Sequence, residues 1–496
     1  MGTAIRVAAT SLAVLATAAA SGCGGAPAGA PSIPPGIHRI RHVIVVMQEN
    51  RSFDNYFGTF PGADGIPRRV LDGRADCNVD PGMGGCLLPY HDTRQVDTGG
   101  PHTVADALAD IDGGRMDGFV RRLRGAMRGL CRTNPTTPDC VVDTQRPDVM
   151  GYHTAAEIPN YWRYAHRFVL QDHMFASNLG WSLPSHLALV SGWSATCTSR
   201  TDPLSCRPFI GWKRPPVGPG VRFPWTDLTY LLAQHDVTWR YFVEPGLQPD
   251  CADGDMRCPT HVQSSHTPSI WNPLPHFMDV HQDHQVVNVQ PSDDFFTDAR
   301  EGRLPSVSWV VPSIQDSEHP PSPIWRGQAW VTRIVNAVMR SPDWRSSAIF
   351  VAWDDWGGFF DHVKPPYVDS LGYGMRVPGL MISPYARSGY VDHQTLSFDA
   401  YLKFIEDDFL GGGRIDPQTD GRPDSRPSVR ENAAQLGSLA TEFDFSRPPR
   451  PPMLLPPIPN PGCRSSAARR GTRRSAARRR TQPGPAGPPR CEARPS

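Results

Sequence analysis

The chain carries almost no net charge: 50 Lys and Arg stand against 49 Asp and Glu. That balance argues against a surface built for general polyanion binding, so no specific nucleic-acid partner is expected. Beyond the first 22 residues the chain also lacks any apolar run long enough to cross a bilayer, which needs about 20 residues. The eleven cysteines include no C-x-x-C pair and none has histidine neighbours, which disfavours zinc binding. Cys77/Cys86, Cys131/Cys140, Cys197/Cys206 and Cys251/Cys258 instead fall in close pairs within loop-like sequence. That is the pattern of local disulfides in an oxidising compartment.

The two ends fit an exported chain. Arg6 supplies a short positive region, and residues 7–20 form an apolar and small-residue run that ends in Ala20-Ser21-Gly22-Cys23. This resembles a lipoprotein signal, which implies cleavage after residue 22 and lipidation of Cys23, with plain secretion as the alternative. Residues 23–37 are rich in Gly, Ala and Pro and read as a flexible tether. Residues 445–496 turn first to Pro and then to Arg clusters, with nothing to fill a core, and read as a disordered tail. For an exported chain that tail suits anionic lipid or wall polymer better than nucleic acid. Cys463 and Cys491 lie within it.

Residues 38–444 remain for the catalytic body. His42 opens a run of five mostly β-branched apolar residues, as in a strand buried on both faces. Further buried strands are predicted at 168–170, 237–243, 307–311, 348–352 and 380–382. Helices are predicted at 155–166, 183–190, 226–234, 329–339 and 397–410, and in parts of 103–129. Residues 59–101 and 244–303 read as loops. Strands alternating with helices predict an α/β fold, a mainly parallel central sheet with helices on both faces.

In such sheets ligands bind beyond the carboxyl ends of the strands. Glu49 and Asn50 follow the first strand, and Asp354 and Asp355 follow the strand at 348–352. Three carboxylates and an amide oxygen suit a divalent metal cation of unspecified identity. Ser182 sits between a Gly-Trp turn and a helix start, where backbone N–H groups meet anions. An ordinary helix cap followed by Pro184 gives the same local pattern. Set beside the four oxygen ligands, Ser182 becomes a candidate metal-activated nucleophile and a fifth ligand. His102, His319 and His362, each in loop sequence, are candidates for proton transfer and phosphoryl-oxygen binding.

The stretch from His42 to Gly58 resembles the opening signature of the bacterial phosphoesterase family, which includes phospholipases C and a related acid phosphatase. The resemblance continues through Gly114–Phe119, Met150–His153, Ile158–Tyr161, Asn178–His186, Leu304–Trp309, Ser317–Pro321, Trp353–His362 and Arg376–Pro384. It covers about residues 38–410. It implies an alkaline-phosphatase-like fold and a metal-dependent Ser nucleophile that forms a covalent phospho-enzyme. Glu49, Asn50, Asp354 and Asp355 match the family's metal positions, Ser182 its nucleophile, and His102, His319 and His362 its substrate-phosphate histidines. The phospholipases usually read Pro-Asn-Arg where this chain reads Pro184-Ser185-His186, and the larger ones continue into C-terminal β-domains where it turns to Pro and Arg.

The expected function is therefore a metal-dependent phosphoric ester hydrolase, either phospholipase C-like or a broad-specificity phosphatase. Its substrate is a phosphoester, with phospholipid among the candidates, and its membrane partner is reached through Cys23. The alternative is a catalytically inactive surface-binding lipoprotein of the cell envelope. Trp181, Trp193, Trp353 and Trp356 either line an apolar or choline-binding surface through cation–π contact or pack the core.

Overall fold

In the computed structural model, which describes residues 35–73, 78–80, 84–133, 146–212, 219–249, 260–418 and 422–458, the run beginning at His42 lies inside an eight-stranded sheet. Its strands are β1 (His42–Gln48), β2 (Val169–Gln171), β3 (Trp239–Val243), β4 (Val289–Pro291), β5 (Val307–Val311), β6 (Ser347–Trp353), β7 (Gly379–Ile382) and β8 (Tyr390–Asp392). Their spatial order is β4-β3-β5-β1-β6-β7-β2-β8. Every neighbouring pair is parallel except those made by β7, which runs antiparallel to both β6 and β2. All seven residues of β6 are buried, as are six of seven in β1. Successive side chains point to opposite faces, so both faces of the sheet centre are covered. The expected α/β class and mainly parallel sheet are what the chain adopts.

The helices that matter for the site are α1 (Phe53–Phe57), α2 (Val104–Ile111), α3 (Phe119–Thr133), α4 (Pro159–Arg167), α5 (Ser182–Ser191), α6 (Leu228–Gln234), α7 (Ser292–Glu301), α8 (Ile324–Arg340) and α9 (Asp399–Phe409). The predicted break at Gly113-Gly114 falls between α2 and α3. In α8 the apolar residues Val331, Ile334, Val335 and Val338 recur at helical spacing and are all buried. The 244–303 stretch is more ordered than its sequence predicts. It contains a β-ribbon (Gly246–Pro249 with Thr260–Gln263), β4 and α7. The reason lies in α7 itself: its buried side chains include Phe295 and Ala299, one turn apart, set among seven polar or charged residues.

Cys197 and Cys206 are joined by a disulfide that closes a β-ribbon, as their spacing predicts. Cys86 and Cys131 are each disulfide-bonded as well, whereas Cys77, Cys140, Cys251, Cys258, Cys463, Cys491 and Cys23, where lipidation is expected, lie outside the described residues.

Past the expected boundary at residue 444, residues 446–458 form an extended Pro-rich strap on the body. The Trp344 indole N–H donates to the Arg450 carbonyl (3.0 Å). Asn336 of α8 donates to the Leu455 carbonyl (2.7 Å) and accepts from the Leu455 N–H (3.1 Å). Asn160 of α4 donates to the Pro456 carbonyl (2.8 Å), and Leu455 is buried. Proline lacks an N–H, so side-chain amides on the body take up the carbonyls that a sheet or helix would otherwise satisfy.

Candidate active site

The register of three adjacent strands builds the site. β1 and β6 are parallel and in step from His42 opposite Ser347 to Gln48 opposite Trp353. The residues that follow, Glu49-Asn50 and Asp354-Asp355, therefore emerge side by side at the carboxyl edge, and the Asp354 N–H still donates to the Gln48 carbonyl (2.9 Å). β5, on the other side of β1, leads into the loop of Ser317, Glu318 and His319, and the Glu49 N–H donates to the Ser317 carbonyl (3.1 Å).

The chain then turns sharply. Asn50 has φ +60°, a left-handed conformation that Asn tolerates better than most residues. This turn directs its N–H at Asp354 Oδ1 (2.9 Å). Its side-chain N–H₂ donates to Asp355 Oδ1 (3.2 Å) and to His102 Nε2 (2.9 Å). His102 Nδ1 donates to the Gly100 carbonyl (2.8 Å), which fixes the tautomer in which Nε2 accepts. With both amide protons engaged, the Asn50 carbonyl oxygen is left without a protein partner.

The loop carrying His102 reaches this depth because it lies against glycines. A Cβ on Gly358 would stand 2.5 Å from the Gly100 Cα, and one on Gly357 would stand 2.6 Å from the main-chain carbonyl oxygen of Asn50. Both glycines have positive φ, so side chains are excluded on conformational as well as steric grounds.

Glu49 and Asp354 are fully buried, and among the described residues neither is paired with an Arg or Lys. Glu49 Oε2 and Asp354 Oδ2 have no protein partner. Burial, then the charges of Asp354 and Asp355, push the Glu49 pKa well above the usual carboxyl value, while the neighbouring Ser182 hydroxyl pulls it down. Two buried carboxylates that face each other with oxygens unsatisfied fit a divalent cation, in hardness and in charge. The Asn50 carbonyl oxygen, Glu49 Oε2 and Asp354 Oδ2 are the atoms suited to hold it, with Asp355 tied behind them to Asn50 and the Gly357 N–H (2.7 Å).

Ser182 is the first residue of α5, preceded by Trp181 in extended conformation. Its side chain is nearly buried and meets Glu49. The predicted set of Ser182, Glu49, Asn50, Asp354 and Asp355 is thus brought together, with His102 attached through Asn50. His319 stands close by. Its ring lies 6.3 Å, centre to centre, from that of His102, and its Nδ1 donates to the Pro320 carbonyl (2.8 Å). The residue before it, Glu318, has φ +69°. Its buried carboxylate accepts from Tyr56 (2.7 Å), Tyr161 (2.7 Å) and Trp353 (2.9 Å), which anchors the loop.

His362 belongs to a different group. Its Nδ1 meets Asp54 Oδ2 (2.8 Å) and its Nε2 lies 3.4 Å from Asp64 Oδ1. Arg376 bridges Asp54 (3.1 Å) and Asp361 (2.9 Å) beside it. Among its polar partners none belongs to the Glu49–Asp354 group.

His186 was not singled out by sequence reasoning, yet it completes the centre. Its ring is fully buried, and its Nε2 lies 3.1 Å from Glu49 Oε1. Burial holds its pKa down, to about 4, so the ring is neutral. Its Nδ1 has no protein partner. The available signal was the spacing of four from Ser182, which puts both on one helix face. The four tryptophans are packing residues: each is at most 3% exposed, which removes them as a choline-binding surface.

A model described as the Phosphoesterase family matches residues 40–410. The chain is 28% identical over 461 residues to "Phospholipase C B" of Mycobacterium tuberculosis, across 85% of this chain and 81% of that protein. It is likewise 28% identical to "Non-hemolytic phospholipase C" of Pseudomonas aeruginosa, across 85% of this chain and 59% of that one. Similar solved structures include the PsFucS1 sulfatase of Pseudoalteromonas sp. (11% identity, TM-score 0.35, 80% and 73% of the two chains). Another is an alkaline-phosphatase-superfamily protein of Vibrio parahaemolyticus (12%, 0.31, 58% and 67%). At those scores neither superposition carries an argument, and the fold rests on the topology above.

Proposed function

The chain belongs to the Phosphoesterase family and is a phosphoester hydrolase; from that premise we propose that it is of phospholipase C type, metal-dependent, and works through a covalent phospho-Ser182. The observation that carries the reading is the buried pair of Glu49 and Asp354, each with an oxygen that no protein group satisfies, beside Ser182 at the start of α5. A divalent cation bound by Glu49, Asn50 and Asp354 would offset the carboxylates, polarise a phosphoryl oxygen and favour ionisation of the Ser182 hydroxyl.

Ser182 Oγ would then form a bond to phosphorus, its proton passing to solvent, while the bond to the alcohol oxygen breaks. His319 protonates that leaving oxygen. In the second step a water oxygen bonds to phosphorus from the opposite side and its proton restores His319. The Ser182 oxygen leaves and takes a proton back from solvent, so the net change is phosphodiester plus water to alcohol plus phosphomonoester, or monoester plus water to alcohol plus phosphate. His102 holds Asn50 with its carbonyl oxygen toward the centre, and Glu318 holds the His319 loop. Placing fixed groups around the phosphoryl oxygens supplies most of the acceleration in such transfers.

The test is a hydrolysis panel of p-nitrophenyl phosphate, p-nitrophenylphosphorylcholine and phosphatidylcholine, each with and without chelator. Turnover of the two choline esters, abolished by chelator and restored by added metal, is expected. Full activity after exhaustive chelation would overturn the metal dependence, and turnover of the monoester alone would assign a phosphatase. Nothing supports the rival reading of an inactive envelope lipoprotein.

The proposal extends to the compartment: Cys23 anchors the enzyme to the outer face of the cytoplasmic membrane. Palmitate labelling that is lost in Cys23→Ser is expected, and unlabelled protein free in the medium would refute the anchor.

A further inference from the structure

We propose that His186 is a nitrogen ligand of the cation, so that the centre is a mixed nitrogen–oxygen shell selective for first-row transition-metal ions over magnesium or calcium. This rests on the metal-dependent reading above and goes beyond it, because neither the carboxylates nor the amide carry that selectivity.

The placement is geometric. Ser182 and His186 stand one turn apart on α5, and both reach Glu49. Glu49, His186 and Asp354 each offer an atom, all within 4.8 Å of one another. Ligands about 2.0–2.2 Å from one ion stand roughly 3–3.5 Å apart around it. The 3.1 Å separation of His186 Nε2 and Glu49 Oε1 therefore sets the ring nitrogen, at the spacing of neighbouring ligands, against the carboxylate whose other oxygen, Oε2, is left for the ion.

Two independent features point into the same space. Glu49 Oε2 and Asp354 Oδ2, on fully buried residues, have no protein partner. The imidazole, also fully buried, has no packing reason to be there: α5 is buried along its whole length, and an apolar residue at position 186 would avoid desolvating a ring. A shell of oxygen ligands alone suits hard ions, whereas one imidazole shifts preference toward later first-row ions. On binding, Nε2 gives its lone pair to the ion and the ring proton sits on Nδ1.

The experiment loads the full-length chain with Mn²⁺ and records nitrogen modulation of the electron spin echo. Wild type should show coupling to a directly bound nitrogen. His102→Gln, which alters the other histidine tied to the site, should retain it, and His186→Gln should lose it. The same His186→Gln protein should lose at least about tenfold more affinity for Co²⁺ than for Mg²⁺ by calorimetry. Mn²⁺ bound without nitrogen coupling, or coupling that survives His186→Gln, would overturn the inference and leave the ring as a hydrogen-bond partner of Glu49 only. Failure of the wild type to bind Mn²⁺, Co²⁺ or Mg²⁺ would instead overturn the metal-dependent reading and this inference with it. Should His186→Gln not fold, wild type and His102→Gln decide: coupling absent from either refutes the assignment.

Discussion

Two buried acidic groups lie on the same side of this molecule, and they solve the same electrostatic problem in opposite ways. Around His362 the chain supplies its own cation. Arg376 bridges Asp54 and Asp361, His362 takes the second Asp54 oxygen, and the Asp54 and Val363 N–H groups donate to Asp361. Every carboxylate oxygen there has a partner. Around Glu49 and Asp354 no guanidinium or ammonium of the described residues arrives, and oxygens are left over. Both groups contain carboxylates and a histidine at ligating distance, so a list of residue types does not separate them. What separates them is whether charge and hydrogen bonding are closed within the protein. The first group is structural by this measure, and the second is completed only from outside.

The contrast can be broken or sharpened at four points. Ser182→Ala should lower turnover by at least about three orders of magnitude while calorimetry still finds metal bound. Near wild-type turnover would favour attack by water with no covalent intermediate. Arg376→Leu should cost about 3–5 kcal/mol of stability in urea denaturation, because it leaves Asp54 and Asp361 buried without their cation; a loss below about 1 kcal/mol would show that the group is not held by charge.

Asp354→Asn should act in the opposite sense on the metal-free protein. It removes a charge that pushes the Glu49 pKa up, so the metal-free melting temperature should not fall. Metal affinity should drop about 10–100-fold, with activity partly restored by excess metal. A destabilised metal-free Asp354→Asn would erase the difference between the groups.

The smallest effect is in pH. Burial disfavours charge on His362, but Asp54 and then Asp361 outweigh it and hold its pKa above the ordinary 6.5. A raised folded value means that the contribution is complete below about pH 6.5 and is lost as pH rises through the folded pKa. Denaturation between pH 6 and pH 9 should show a decline that His362→Gln reduces by about 1 kcal/mol or less. An unchanged decline would remove His362 from the ion set.

Much of the sheet was legible because it is written locally. Val43 to Met47 and Ala348 to Ala352 are apolar runs too long and too β-branched to sit at a surface, and each stops at acids. Their adjacency, in step, comes from strand order, which no local pattern encodes. The antiparallel course of β7 was illegible for the same reason, since Gly379–Ile382 reads alike in either direction. His186 escaped notice because its partner Glu49 is 137 positions away. It registered only as a departure from a familiar tripeptide. His362 was grouped with the other histidines by its polar neighbourhood, but Arg376 and Asp54 decide its role, and Asp54 lies 308 positions from it. The tryptophans were ambiguous because an indole suits a core and a ligand surface equally, and only burial distinguishes them.

The Pro-rich strap has a practical consequence for anyone truncating the chain. Composition shifts near residue 444, which is where an expression boundary or a search for a protease-resistant fragment would naturally stop. A cut there strips acceptors from the Asn160 and Asn336 amides and the Trp344 indole, three donors on residues otherwise buried, and uncovers the surface beneath Leu455. A fragment ending at 444 therefore loses these hydrogen bonds and the packing of Leu455, and is expected to be less stable than one that keeps residues 446–458.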